Sequence, residues 1–161
     1  MTRKRTRRKG KKAQTNASSK TYRGINFKSN LEVYMYKLLK GSKIPFSYEK
    51  RKFVIDSGFT SPNKSYERFM KGTGEFKDRG SGKNFNDTIY TPDFTPPKNR
   101  DLDWVIEVKG RTMPDFPRTW RLFKKWLLNN GHEDTILFMP RNQKECNITL
   151  ELIKEIYEKQ V

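Results

Sequence analysis

Residues 89–110 read IYTPDFTPPKNRDLDWVIEVKG, from Ile89 to Gly110. Ile89 to Phe94 is strand-like, Pro96-Pro97-Lys98-Asn99 supplies a turn, and Asp103 to Val108 (DWVIEV) is again β-branched and aromatic until Gly110 stops it. The two runs are predicted to pair as a hairpin. Side chains at i and i+2 of a strand leave the same face, so Glu107 and Lys109 point together, and the hairpin brings Asp93 beside them. Two carboxylates and an amine then converge.

Outward from this stretch the pattern changes period. Upstream, Leu31, Tyr34, Met35, Leu38 and Leu39 recur at spacings of three and four, which predicts an amphipathic helix from Ser29 to Lys40, ended by Gly41. Phe46, Tyr48, Phe53 and Ile55 mix with charges as a half-exposed strand over Phe46 to Ile55 would. Residues 56–88 hold five glycines among Ser, Asn and Lys and read as a long loop, a hairpin tip or an insertion. Downstream, Phe116, Trp120, Phe123 and Leu127 mark a second helix, whose other faces carry Arg118, Arg121, Lys124 and Lys125. Thr135 to Met139 reads as a short buried strand closed by Pro140. Leu150, Ile153, Ile156 and Tyr157 define a last helix capped near Asn147 or Thr149. This order predicts an α/β fold, a mixed β-sheet flanked by helices.

The chain has 161 residues, with 35 Lys+Arg against 18 Asp+Glu, a formal net charge of +17. Residues 1–20 carry nine of the basic residues and no acid, so the first 22 residues are expected to be a disordered arm before a single domain over 23–161. Without residues 1–20 the remainder still holds 26 basic and 18 acidic residues, a net +8. Both parts should attract phosphate, through Arg3, Lys4, Arg5, Arg7, Arg8, Lys9, Lys11 and Lys12 in the arm and through the Arg118, Arg121, Lys124, Lys125 stripe. The stripe's bland reading is a solvated helix face. No apolar run approaches the roughly 18 residues a membrane span needs, and no apolar stretch follows the first basic cluster, so neither a membrane protein nor an exported one is expected. One cysteine, Cys146, and one histidine, His132, cannot build a disulfide or a His/Cys zinc site, and both are read as structural, in a reducing compartment.

Any metal must therefore be held by carboxylates. Asp93 and Glu107 are hard oxygen ligands of the kind that holds Mg²⁺, with Mn²⁺ able to substitute, alongside water and phosphate oxygens. Such a metal polarises a phosphodiester and acidifies water, and the Lys109 ammonium can orient that water and offset developing charge. The chemistry that fits is phosphodiester hydrolysis.

Through Pro92-Asp93 and Glu107-Val108-Lys109 the chain resembles the PD-(D/E)xK, or restriction-endonuclease-like, nucleases. Within them it is similar to the phage endonuclease I type of Holliday-junction resolvase, by FKSNLE (Phe27 to Glu32), YTPDF (Tyr90 to Phe94) and VIEVKG (Val105 to Gly110) over roughly residues 23–140. The resemblance implies a restriction-endonuclease-like sheet and an active site of Glu32, Asp93, Glu107 and Lys109. It also implies a metal held by Asp93, Glu107 and the Val108 carbonyl, Glu32 serving a second metal or positioning water. Four-way or branched DNA as substrate, an intertwined homodimer, and a phage protein in the host-cell cytoplasm follow from it too. Glu32 has a structural alternative, since Ser29-Asn30-Leu31-Glu32 is also a capping box. The stretch 56–88 is far longer than its counterpart in those resolvases. Similar runs occur in transposon end-cleaving and other phage nucleases. A nicking, end-cleaving or host-DNA-degrading enzyme acting on duplex DNA is therefore the first alternative, and a non-catalytic basic nucleic-acid-binding protein the second.

Overall fold

The structure, a computed structural model, describes residues 20–69, 71–110 and 114–159. In chain order these form β1 (Lys20–Tyr22), β2 (Ile25–Phe27), α1 (Asn30–Gly41), β3 (Ser47–Tyr48) and β4 (Phe53–Asp56). Next come β5 (Phe59–Thr60), β6 (Tyr66–Glu67), β7 (Lys77–Asp78), β8 (Asn84–Phe85) and β9 (Thr88–Tyr90). The chain continues through β10 (Phe94–Thr95), β11 (Trp104–Ile106), α2 (Phe116–Asn129), β12 (Ile136–Phe138) and α3 (Gln143–Glu158). The architecture is mixed α/β. No helix among the described residues is long and apolar enough to cross a membrane.

The central sheet runs β12-β11-β10-β3. The expected hairpin is there: β10 and β11 are antiparallel, with Phe94 opposite Ile106. β11 and β12 are parallel, as a strand-helix-strand passage through α2 requires. Strand alternation on β11 divides the interior. Trp104 and Ile106 join Val108, Phe94, Met35, Leu39, Leu150 and Ile153 in one core with α1 and α3. Val105 faces the other way, into a second core with Phe123 and Leu127 of α2 and Phe53 and Tyr90.

α1 starts where its sequence says it should. Ser29 is extended (φ −150°, ψ 158°), and its hydroxyl oxygen accepts from the Glu32 amide at 3.1 Å. Replacing Ser29 by Ala is expected to cost about 1 kcal/mol, read as a lower urea midpoint at unchanged slope.

Several expectations are corrected. The segment read as one strand from Phe46 to Ile55 is two, β3 in the central sheet and β4 outside it, because Glu49 turns the chain with a left-handed φ of 48°. Ile89 to Phe94 also divides: β9 pairs with β4, while β10 pairs with β3 and β11. Residues 56–88 are a paired ribbon, with β4 on β9, β5 on β8 and β6 on β7, all antiparallel. The ribbon is closely built, since a Cβ on Gly80 would lie 2.6 Å from the Asn63 carbonyl oxygen. The arm boundary moves as well: Lys20–Tyr22 pairs with Ile25–Phe27 across an Arg23-Gly24 turn, both turn residues at positive φ. The rest of the expected arm, with Arg3, Lys4, Arg5, Arg7, Arg8, Lys9, Lys11 and Lys12, lies outside the described residues. α3 begins at Gln143 rather than near Asn147, because the Asn142 side chain already accepts from the Glu145 amide at 2.9 Å. β12 is not fully buried, Ile136 being 45% exposed at the sheet edge.

Candidate active site

Three buried carboxylates, Glu32, Asp93 and Glu107, lie near one end of the β10–β11 hairpin and the N-terminus of α1, close enough for Glu107 and Glu32 to act electrostatically on Asp93. Asp93 lies just before β10, and its Oδ2 accepts from the Val108 amide at 2.7 Å, which fixes it across the hairpin. Glu107 follows β11 on the Val105 side of the strand. Its Oε2 accepts from the Tyr90 hydroxyl at 2.6 Å, and its Oε1 is 2.7 Å from Lys109 Nζ. The i, i+2 geometry read from the sequence is thus realised. The Lys109 ammonium also sits over the Phe116 ring at 4.4 Å, so the first residue of α2 helps to hold it.

Glu32 enters from α1 with both oxygens engaged. Oε1 accepts from the Ser29 hydroxyl at 2.9 Å, and Oε2 accepts from the Tyr48 hydroxyl at 2.7 Å and the Lys28 amide at 3.0 Å. It is both the capping residue of α1 and a member of the cluster.

The electrostatics follow from burial. Asp93 is pushed up to about 8, first by desolvation, then by the charges of Glu107 and Glu32, against the opposing Val108 amide and Lys109. Tyr90 is raised by burial and by Glu107, and Tyr48 by burial and its bond to Glu32, so both phenols remain proton donors to carboxylates. Burial lowers the Lys28 ammonium, but its bond to Glu49 and the charges of Glu49, Asp93 and Glu32 more than reverse this. Lys28 is a second cation at the site's edge.

The elevated Asp93 reflects its burial first and the neighbouring negative charges of Glu107 and Glu32 second, only partly offset by Lys109. Such a cluster favours a proton or a metal ion, and the donor set fits a divalent cation. Asp93 and Glu107 supply two carboxylates, and Mg²⁺ is commonly held by one or two with water and phosphate oxygens completing its octahedron. The Val108 carbonyl lies between Glu107 and Lys109 in the chain. Among the described residues no three of His, Cys, Asp and Glu form a ready-made cation cage.

The expected catalytic residues Glu32, Asp93, Glu107 and Lys109 are therefore brought together. Tyr48, Tyr90 and Lys28 were missed by the sequence reading, although Tyr90 lies three residues before Asp93 in a quoted motif. Arg118, Arg121, Lys124 and Lys125 are all exposed on α2, and Lys124 lies 5.9 Å from the Trp120 ring centroid. Trp120 and Trp126 are half-buried against the second core, and His132 stacks on Trp126 at 5.7 Å, a structural placement. Cys146 is buried in the first core, within α3.

The chain matches no protein-family model, no curated protein and no solved structure.

Proposed function

We propose that this protein is a Mg²⁺-dependent endodeoxyribonuclease of the PD-(D/E)xK type, built on a restriction-endonuclease-like core and resolving Holliday junctions or branched DNA as a homodimer. The observation that carries the reading is the buried Asp93 and Glu107 pair with Lys109 2.7 Å from Glu107, inside a chain of net charge +17. Carboxylates would oppose phosphate if binding were the only task. Asp93, Glu107 and the Val108 carbonyl would hold the metal, and Glu32 would position water or a second ion. The bound ion supplies Lewis acidity toward the phosphodiester and toward water.

The protein's own groups do the rest. Glu107 holds the Lys109 ammonium in place at 2.7 Å, and Phe116 limits its freedom on the other side. The Lys109 ammonium then orients the attacking water and offsets the negative charge growing on the phosphate oxygens. Tyr90 and the Val108 amide hold the two carboxylates in place, so little reorganisation is needed at reaction. Hydrolysis adds water across the P–O bond, leaving a phosphate monoester on one strand end and a hydroxyl on the other. The α2 stripe and the arm residues contact backbone phosphates away from the break.

The test is cleavage of a labelled four-way junction beside linear duplex of the same sequence, in Mg²⁺ or EDTA. Paired metal-dependent cuts at the junction are expected. Equal cutting of both substrates would replace the resolvase by a duplex nuclease with the same site. Tight, salt-sensitive binding without turnover in Mg²⁺ or Mn²⁺ would leave a binding protein.

A further inference from the structure

The ribbon of residues 53–90 exposes apolar side chains that a free-standing β-ribbon does not need. Phe59, Tyr66, Phe69 and Phe76 are 60%, 57%, 59% and 62% exposed, and Phe85 is 42% exposed. They are arranged in pairs. Phe59 and Phe85 stack across β5 and β8 with centroids 4.9 Å apart, and Tyr66 and Phe76 lie 6.1 Å apart on the outer segment. The Arg79 guanidinium covers the Phe69 ring at 3.9 Å, and Lys83 lies over Phe85 at 4.9 Å. Paired exposed aromatic rings of this kind are a recurrent feature of interaction surfaces.

Charge selects the occupant. Residues 64–83 carry six Lys/Arg against three acids, in a chain already at +17, so a second copy would be repelled there and a polyanion attracted. Aromatic faces interleaved with Lys and Arg are the chemistry of single-stranded nucleic acid: cations follow the backbone, and each ring offers a stacking face to a base. The bases of an intact duplex are already stacked on one another. The outer ribbon therefore has use for a strand with unpaired bases.

We infer that the outer ribbon, residues 64–69 and 71–83, is a single-strand contact, with Tyr66 and Phe76 stacking on unpaired bases of the substrate. This rests on the proposed function for its nucleic-acid substrate, and within that reading it selects branched DNA with an unpaired strand, since the arms of an intact four-way junction are fully paired. The ribbon's outer ladder is held by its own hydrogen bonds. Asp78, at its outer ladder, accepts from the Ser65, Gly80 and Ser81 amides at 3.0, 3.0 and 3.2 Å, and hydrogen bonds from Ser81, Ser65 and Gly80 hold its carboxyl well below the usual range.

The test is binding in EDTA, where no cleavage occurs, of a labelled oligo-dT strand, a branched DNA with unpaired nucleotides and a blunt duplex. Tyr66→Ala/Phe76→Ala is compared with wild type by anisotropy across a salt series, with cleavage in Mg²⁺ and sedimentation alongside. Both side chains are more than half exposed, so the fold should survive. The double variant is expected to bind oligo-dT and branched DNA about tenfold or more weakly at unchanged salt slope, and blunt duplex as before. Unchanged affinity for oligo-dT, with wild type still cutting in Mg²⁺, would overturn the ribbon's role and spare the nuclease. Impaired binding in a protein whose wild type never cuts would spare the ribbon and remove the nuclease. Dissociation of a dimer at unchanged DNA affinity would assign the patch to a second copy and overturn the inference.

Discussion

Glu107→Gln is expected to lower metal-dependent cleavage by about a thousandfold or more while DNA binding in EDTA stays equal or tightens. The side chain keeps its shape, and the Tyr90 hydroxyl, 2.6 Å from Oε2, can still donate to an amide oxygen, so the second core should survive. The charge is what disappears. In the proposed site it would supply part of the metal's donor set, and it is the counter-charge 2.7 Å from Lys109 Nζ. Without it the ammonium is left over Phe116 with weaker reason to stay in line. Binding behaves oppositely, because a buried negative charge facing phosphate has been removed. Lys109→Ala should lose at least a hundredfold in cleavage with a smaller effect on affinity, and Lys109→Arg should rescue poorly, since a planar fork does not replace a point charge. Single-turnover cleavage and anisotropy on the same preparations separate the two quantities. Cleavage at the wild-type rate in Glu107→Gln would place the chemistry elsewhere.

The parts of this site that were legible in sequence are those set by local geometry. The period of two put Glu107 and Lys109 on one face, the Pro-Pro turn returned the chain toward Asp93, and the Ser29 to Glu32 spacing announced a cap that the structure contains. What was illegible depends on partners far away in the chain. Nothing in Ile89 to Phe94 says that Tyr90 pairs with Phe53 while Phe94 pairs with Ile106 and Tyr48, yet that division lets Tyr90 reach Glu107. The ribbon was hidden for a related reason: its strands β5 to β8 are two residues each, between glycines and asparagines, too short for alternation to register. Two misses did carry a signal. Gly24 between Tyr22 and Ile25 is a residue free to take the positive φ of a tight turn, and Asn142 to Glu145 has the spacing of a capping box, with Cys146 four residues before Leu150 extending the apolar stripe of α3.

Asp93→Asn should make the protein more stable at pH 8 while removing its cleavage. In the unfolded chain Asp93 ionises near 3.8, and in the folded chain near 8. Between those values the folded state holds a proton that the unfolded state has released. The resulting stability is present in full below pH 4 and drains away as pH rises toward 8. The asparagine has no proton to lose, and its side-chain oxygen can still accept from the Val108 amide, 2.7 Å from the carboxylate it replaces. The gain should be several kcal/mol at pH 8, read as a melting temperature higher by several degrees, and it should vanish near pH 4. A divalent cation should do for the wild type what the substitution does for the variant. Mg²⁺ or Mn²⁺ at pH 8 should raise the wild-type melting temperature and leave Asp93→Asn unmoved, because the substitution removes the buried charge and, in the proposed site, a ligand. Thermal unfolding at pH 4, 6 and 8, with and without metal, reads all of this without any substrate. A variant less stable than wild type at pH 8 would mean that the Asp93 carboxylate is satisfied by its surroundings, and that the cluster carries no unmet charge for a metal to answer.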